Sequence, residues 1–182
     1  LTAPIMKRAK EQYGVKQLQF HTPDSHSFLR AHKPEKFGDD LSSFRHTVNQ
    51  ANKDRQPATG IEIGVAGIGV RGVVPVNYEG KHLGTVETGL SLDEKFLQLI
   101  KHHYHVDVAI YLNRDSQLKL LSQTTEIPTT PELLKQVFSE KKHRNQISES
   151  DSAAVMIQAN ILEDFQGSTV GVVVISKDIS SA

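Results

Sequence analysis

Residues 60–90 constrain this chain more than any other stretch. Helical periodicity vanishes there, and glycine and valine dominate. Ile61, Ile63 and Val65 alternate strictly, the pattern of a half-buried strand. Residues 70–78 and 82–90 supply two more strands. Tyr78, Glu79, Gly80 and Lys81 between them read as a tight hairpin turn in which Gly80 can take positive φ. Strands joined this closely pair antiparallel, so an antiparallel meander must sit at the centre of the fold.

The rest of the chain builds around that meander. Residues 1–16 carry a weak helical stripe of Ile5, Ala9, Gln12 and Tyr13 and end near Gly14. Residues 17–20 alternate as a short strand, and 21–38 are irregular, broken by Pro23, Pro34 and Gly38. Asp39 or Asp40 can cap a helix carrying Leu41, Phe44, Val48 and Ala51. Ser91 and Asp93 start another, with Leu92, Phe96, Leu99, Ile100 and His103 as its stripe. Strands are expected at 106–112, 117–122, 153–162 and 168–177. Pro131 suits the first turn of a helix bearing Leu133, Leu134, Val137 and Phe138. Helices gathered over one antiparallel sheet give an α+β chain of PAS-like architecture. The expected organisation is a leading helix over 1–16 and one ligand-binding domain over 17–182.

Composition removes several functions. Twenty-one Lys and Arg balance twenty-one Asp and Glu in 182 residues. A nucleic-acid binder ordinarily carries a basic excess, so no nucleic-acid partner is expected. With no cysteine, the chain has no disulfide, thiolate metal site, thiol nucleophile or CxxCH haem attachment. No run reaches the ~18 apolar residues that span a bilayer. The N-terminus, Leu-Thr-Ala-Pro, reads as the start of an excised segment whose neighbours could include membrane spans.

Catalytic motifs are scarce. Lys101, His102, His103, Tyr104 and His105 invite a metal hypothesis, but the spacing is not that of HExxH. A His-dependent metal hydrolase is therefore only an alternative reading. Gly67, Gly69 and Gly72 match GxGxxG but lead from strand to strand, whereas a dinucleotide fingerprint leads into a helix. Residues 66–69 read instead as the turn of a hairpin. No catalytic residue, metal ligand or cofactor is expected.

The informative constellation is polar. With that turn, Gly64 faces Arg71 and Glu62 faces Val73, so all four share one face of the sheet. A buried arginine is costly unless paired, and its planar fork suits a carboxylate. Glu62 or an incoming anion could be its partner. Glu87, counted from a two-residue turn, opposes Gly72 on the other face, although one residue of slip would reverse that. The long loop 21–34 adds Arg30 and His32, which could supply a second cationic clamp over the sheet, while Phe28 and Phe44 read from the residues as core.

The blocks 28–45 (Phe-Leu-Arg-Ala-His-Lys-Pro through Ser-Phe-Arg), Gly60-Ile-Glu-Ile-Gly64, Arg71-Gly-Val-Val-Pro-Val76 and Gly84-Thr-Val-Glu-Thr-Gly89 together resemble extracytoplasmic Cache sensor domains. The likeness is greatest to the double-Cache-like type of methyl-accepting chemotaxis proteins, histidine kinases and diguanylate cyclases. It implies a long N-terminal helix from one transmembrane segment and an exit toward a second. It also implies a periplasmic setting, a homodimeric receptor in the inner membrane, and a small carboxylate or amino acid as ligand, pyruvate and acetate among them. On that basis the ligand-binding residues are expected to be Phe28, Arg30, His32, Phe44, Glu62, Arg71, Val73 and Glu87.

Overall fold

The computed structural model describes residues 3–64, 67–150 and 153–180. In chain order the elements are α1 (Ala3–Tyr13), β1 (Gln17–His21), β2 (Ser27–Arg30), α2 (His46–Asp54), β3 (Ala58–Gly64), β4 (Gly67–Tyr78) and β5 (Lys81–Ser91). There follow α3 (Glu94–Tyr104), β6 (Asp107–Arg114), β7 (Gln117–Gln123), α4 (Pro131–Glu140), β8 (Arg144–Ser150), β9 (Ala153–Glu163) and β10 (Thr169–Asp178). They fall into two units. The first is Leu1–Ser91 with Asp164–Gln166, and the second is Leu92–Glu163 with Gly167–Ala182.

The α+β class holds, but there are two antiparallel sheets where the sequence suggests one. The first runs β2-β1-β5-β4-β3 and the second β7-β6-β10-β9-β8. Counted within its own unit, each sheet has the same order. Two edge strands hide this duplication in the sequence. β2 lies inside the irregular loop, and β8, Arg-Asn-Gln-Ile-Ser-Glu-Ser, is almost wholly polar. The long N-terminal helix is not seen among the described residues, where α1 has 11 residues and Gly14 follows at φ +69°.

The register of the first sheet sets the geometry of its polar face. Gly64 pairs with Gly67, so the register differs from that of a turn at 66–69, and residues 65–66 lie outside the described residues. Arg71 therefore faces Gly60 instead of Gly64, and Glu62 faces Gly69 instead of Val73. This slip of an even number of residues leaves Glu62, Gly64, Arg71 and Val73 on a common face, as expected. In the β4–β5 hairpin, Glu79 and Gly80 both take positive φ, at 49° and 74°, the signature of the two-residue turn. A bulge then shifts the register between Val76 and Asn77. Glu87 consequently opposes Val73 and lies on the same face as Arg71, correcting its expected placement.

Helix α2 begins at His46, later than its apolar spacing suggests, so Leu41 and Phe44 precede it. The residue at its start, Arg45, makes no side-chain cap. The acceptor comes from a neighbouring strand instead: Glu62 Oε1 takes the Thr47 N–H at 2.7 Å. A carboxylate there also complements the helix dipole. α2 packs Val48 and Ala51 on Ala58, Val73 and Phe165. In the second unit Asp93 caps α3 through the Phe96 N–H, and Thr130 caps α4 ahead of Pro131. Leu97 is the buried residue of α3, whereas Leu99 and His103 are exposed. Leu134 and Val137 of α4 join Ala109, Ile157, Ala159, Val172 and Val174 in an apolar core.

Candidate ligand site

The covered face of the first sheet is unusually polar. Gln19, His21, Glu62, Arg71, Thr85 and Glu87 are all buried on it. Beside Arg71 the sheet is floored with glycine. A Cβ on Gly89 would come within 2.1 Å of Arg71 Nη1, and one on Gly69 within 3.5 Å of its guanidinium carbon. Arg71 can lie along the sheet because those neighbours lack side chains.

Arg45 completes the network, and sequence reasoning missed it. It comes from the segment just before α2 and is 7% exposed. Its Nε donates to Glu62 Oε2 at 3.0 Å and its Nη2 to Glu87 Oε1. Glu87 also meets His21, whose Nε2 lies 3.3 Å from Oε2. Burial acts to raise the Glu87 carboxyl, but the His21 contact and the Arg45 charge outweigh it and hold Glu87 below its ordinary value. One signal could have revealed Arg45: two carboxylates and one arginine on a covered face are unbalanced, and a buried charge needs a partner.

Arg71 is less well satisfied. Its Nη1 donates to Gln17 Oε1 at 2.6 Å, while its Nε lies 3.9 Å from Glu87 Oε1 and has no hydrogen-bond partner among the described residues. Burial pulls the guanidinium below its ordinary range, partly opposed by Glu87. The buried Gln19 Nε2 is likewise without a partner among the described residues. Both residues line a cavity of about 540 Å³, together with Gln17, Arg30, His32 and Arg45.

The other expected site residues divide. Arg30 reaches the cavity from β2, held by Asp39 at 2.6 Å and by the Lys36 carbonyl at 2.9 Å. His32 lines it, with Nδ1 3.3 Å from the Leu18 amide and 3.2 Å from the Leu18 carbonyl, so its tautomer decides which bond forms. Phe44 is a wall. Glu62 and Glu87 stand behind the cavity rather than on its surface. Val73 is covered by α2 and belongs to the core. Phe28 is 69% exposed and does not wall the cavity. It is the extra residue where the β1–β2 register jumps from Phe20↔Leu29 to His21↔Ser27, and bulged residues turn out of the ladder.

The second unit repeats the strand order without these charges. Glu87 lies between Gln19 and Val73 in its sheet, and Val174 lies between Ala109 and Ala159 in the other. Arg71 pairs with Gly89, and Ile157 pairs with Ser176, at the corresponding register. Ile157 and Val174 are both fully buried and apolar, so the charged network belongs to the first unit. The His102 and His103 rings make a T-shaped contact at the end of α3, with centroids 5.5 Å apart. Among the described residues no group of three or more His, Cys, Asp or Glu is arranged to hold a metal.

Two like-ordered sheets in one chain are what a double sensory module requires, and sequence comparison agrees. The family described as the double sensory domain of two-component sensor kinases matches residues 1–182. The chain belongs to this double-Cache family. Its members are extracellular ligand-binding sensory domains of receptors, not enzymes. No curated protein matches the chain. Among solved structures, an extracellular ligand-binding receptor from Desulfohalobium retbaense is similar with a TM-score of 0.53 at 14% identity, over 92% of this chain and 31% of that one. The chain thus spans about a third of that receptor's length. The ligand-binding domain of a Campylobacter jejuni chemoreceptor, in complex with 4-methylisoleucine, is similar with a TM-score of 0.52 at 10% identity, over 97% of this chain and 70% of that one. The same chemoreceptor's sensory domain with isoleucine bound also scores 0.52 at 10% identity, over 97% and 71%. At these identities the likeness is one of fold. No helix among the described residues is long and apolar enough to cross a membrane.

Proposed function

We propose that the first unit binds a small monocarboxylate, of the size of pyruvate or acetate, in the cavity beside Arg71. The observation that carries this reading is a pair of buried donors, Arg71 Nε and Gln19 Nε2, without partners among the described residues and belonging to two residues that line the cavity. A buried unsatisfied donor costs ~1–3 kcal/mol, and a ligand carboxylate would satisfy both groups at once. Charge supports a monoanion. Arg30, Lys33, Lys36, Arg45 and Arg71 line the cavity against Asp39 and Asp40, with Glu62 and Glu87 behind. Five cations against four carboxylates leave one positive charge.

In this reading Arg71 takes the carboxylate through its fork, Gln17 and Gln19 orient it, and Arg30 and His32 close the outer side. An amino acid is the second reading. Asp40, held ionised by its bonds from Ser42, could take an ammonium group at the cavity. The Campylobacter chemoreceptor, whose complexes contain 4-methylisoleucine and isoleucine, lends that option support.

The chain would serve as the periplasmic part of a homodimeric chemoreceptor in the inner membrane. Its first helix, within 1–16, would lead in from a transmembrane segment to a sensor body over 17–182. A histidine kinase is the alternative output, favoured by the family's description. A thermal-shift screen of pyruvate, acetate and amino acids tests the ligand class. A ligand at one hundred times its Kd stabilises by ~2.7 kcal/mol. Stabilisation by pyruvate or acetate that disappears in R71A supports the reading. No stabilisation by any carboxylate, or a profile unchanged in R71A, overturns it.

A further inference from the structure

Glu87 has three cationic or donating neighbours and two oxygens. Arg45 Nη2 bonds Oε1, and His21 Nε2 lies 3.3 Å from Oε2. His21 is itself held by Thr85 Oγ1 at 3.0 Å from its Nδ1. Arg71 Nε stands 3.9 Å from the same Oε1 that Arg45 holds. Arg45 therefore holds the carboxylate by a hydrogen bond and His21 by a 3.3 Å ion contact, while Arg71 has a longer ion contact of 3.9 Å and donates its hydrogen bond to a neutral amide, Gln17.

We propose that Arg45 is a positioning residue for the ligand site: by holding Glu87, it keeps the Arg71 fork available to an incoming carboxylate. This rests on the reading that the cavity binds a small carboxylate. Arg45 is well placed for the task because Glu62 grips its Nε at 3.0 Å. The other Glu62 oxygen is anchored on the Thr47 N–H at 2.7 Å, so the N-terminus of α2 fixes the arrangement. Without the Arg45 fork, the guanidinium remaining beside Glu87 is Arg71. Closing 3.9 Å to a charge-assisted bond needs a movement of about 1 Å. Arg71 would then be neutralised internally, and an entering carboxylate would meet the charge of Glu87.

The competition gives a test that a merely structural role would not pass. Pyruvate is titrated calorimetrically into the wild-type chain, R45M, E87Q and the double variant R45M/E87Q, with circular dichroism as the check on folding. R45M should weaken pyruvate binding at least tenfold although Arg71 is intact. E87Q removes the competitor and should tighten binding. The double variant should recover binding to about the wild-type level, because Arg71 then has no charged competitor although the cavity has lost the Arg45 charge. Should R45M fail to fold, R45K and R45K/E87Q give the same comparison, since lysine keeps the charge and loses the fork. R45M binding like wild type, or a folded double variant as weak as R45M, overturns the positioning role and leaves the site standing. A wild-type chain that binds neither pyruvate nor acetate overturns the site, and the positioning role with it.

Discussion

Replacing Glu62 by alanine removes a carboxylate that is 5% exposed and holds two elements together. It accepts from Arg45 Nε at 3.0 Å and from the Thr47 N–H at 2.7 Å. Breaking a buried ion pair from one side costs ~3–5 kcal/mol, because the surviving charge stays buried. Losing a helix cap costs ~1 kcal/mol more. E62A should therefore destabilise the first unit by about 4–6 kcal/mol, a large share of the ~5–15 kcal/mol of an ordinary domain. Glutamine keeps an oxygen for Thr47, so E62Q should lose about 1 kcal/mol less, the worth of the cap. Urea denaturation followed by circular dichroism gives the size of the loss. Hydrogen exchange at residues 46–54 locates it, with the Thr47 amide losing protection in E62A and keeping it in E62Q. A loss below ~0.5 kcal/mol in E62A, the usual range for a surface substitution, would refute the assignment of Glu62 as both ion partner and cap.

Other outcomes follow from the same geometry. G89A places a Cβ 2.1 Å from Arg71 Nη1, while Gly89 has no positive φ to lose, so the fold should survive and pyruvate affinity should fall at least tenfold by calorimetry. Wild-type affinity in G89A would mean that Arg71 does not bind the ligand from this position. The Glu87 carboxyl is held below its ordinary value of 4.5, so the unfolded state binds more protons than the folded one as pH falls below that value. Its contribution is present above pH 4.5 and is lost as pH falls through the lowered folded value. The acid limb of a stability profile should be shallower in E87Q, and an unchanged limb would contradict the cause assigned. G60A would bring a Cβ within 2.6 Å of the Phe165 ring in the core under α2. Overpacking there should cost ~1–3 kcal/mol in urea denaturation.

The period-2 run at 60–90 and the Glu79-Gly80 turn made the first sheet legible, because alternation and turn chemistry are local. Local signals also placed the helix starts at Asp93 and Pro131. The second sheet was harder to read: its edge strand at 144–150 is polar, and a paired edge needs no apolar side chains to form its ladder. The candidate site is half legible. Arg71 was found as an arginine in an apolar hairpin, and Arg30 and His32 as cations on a long loop. Glu87 was put on the wrong face, because the bulge at Val76 and Asn77 adds one residue that no alternation pattern reveals. The same geometry expelled Phe28. Arg45 gave no local signal, since its burial depends on Glu62 and Glu87, residues 17 and 42 positions away.

The central claim is that Arg71 and Gln19 await a carboxylate. A high-resolution crystal structure of the protein grown with pyruvate tests it most directly. The account predicts carboxylate density within hydrogen-bonding distance of the Arg71 guanidinium and the Gln19 amide, with Arg45 still on Glu87. Pyruvate bound elsewhere, or Arg71 turned onto Glu87 beneath an empty cavity, would contradict it.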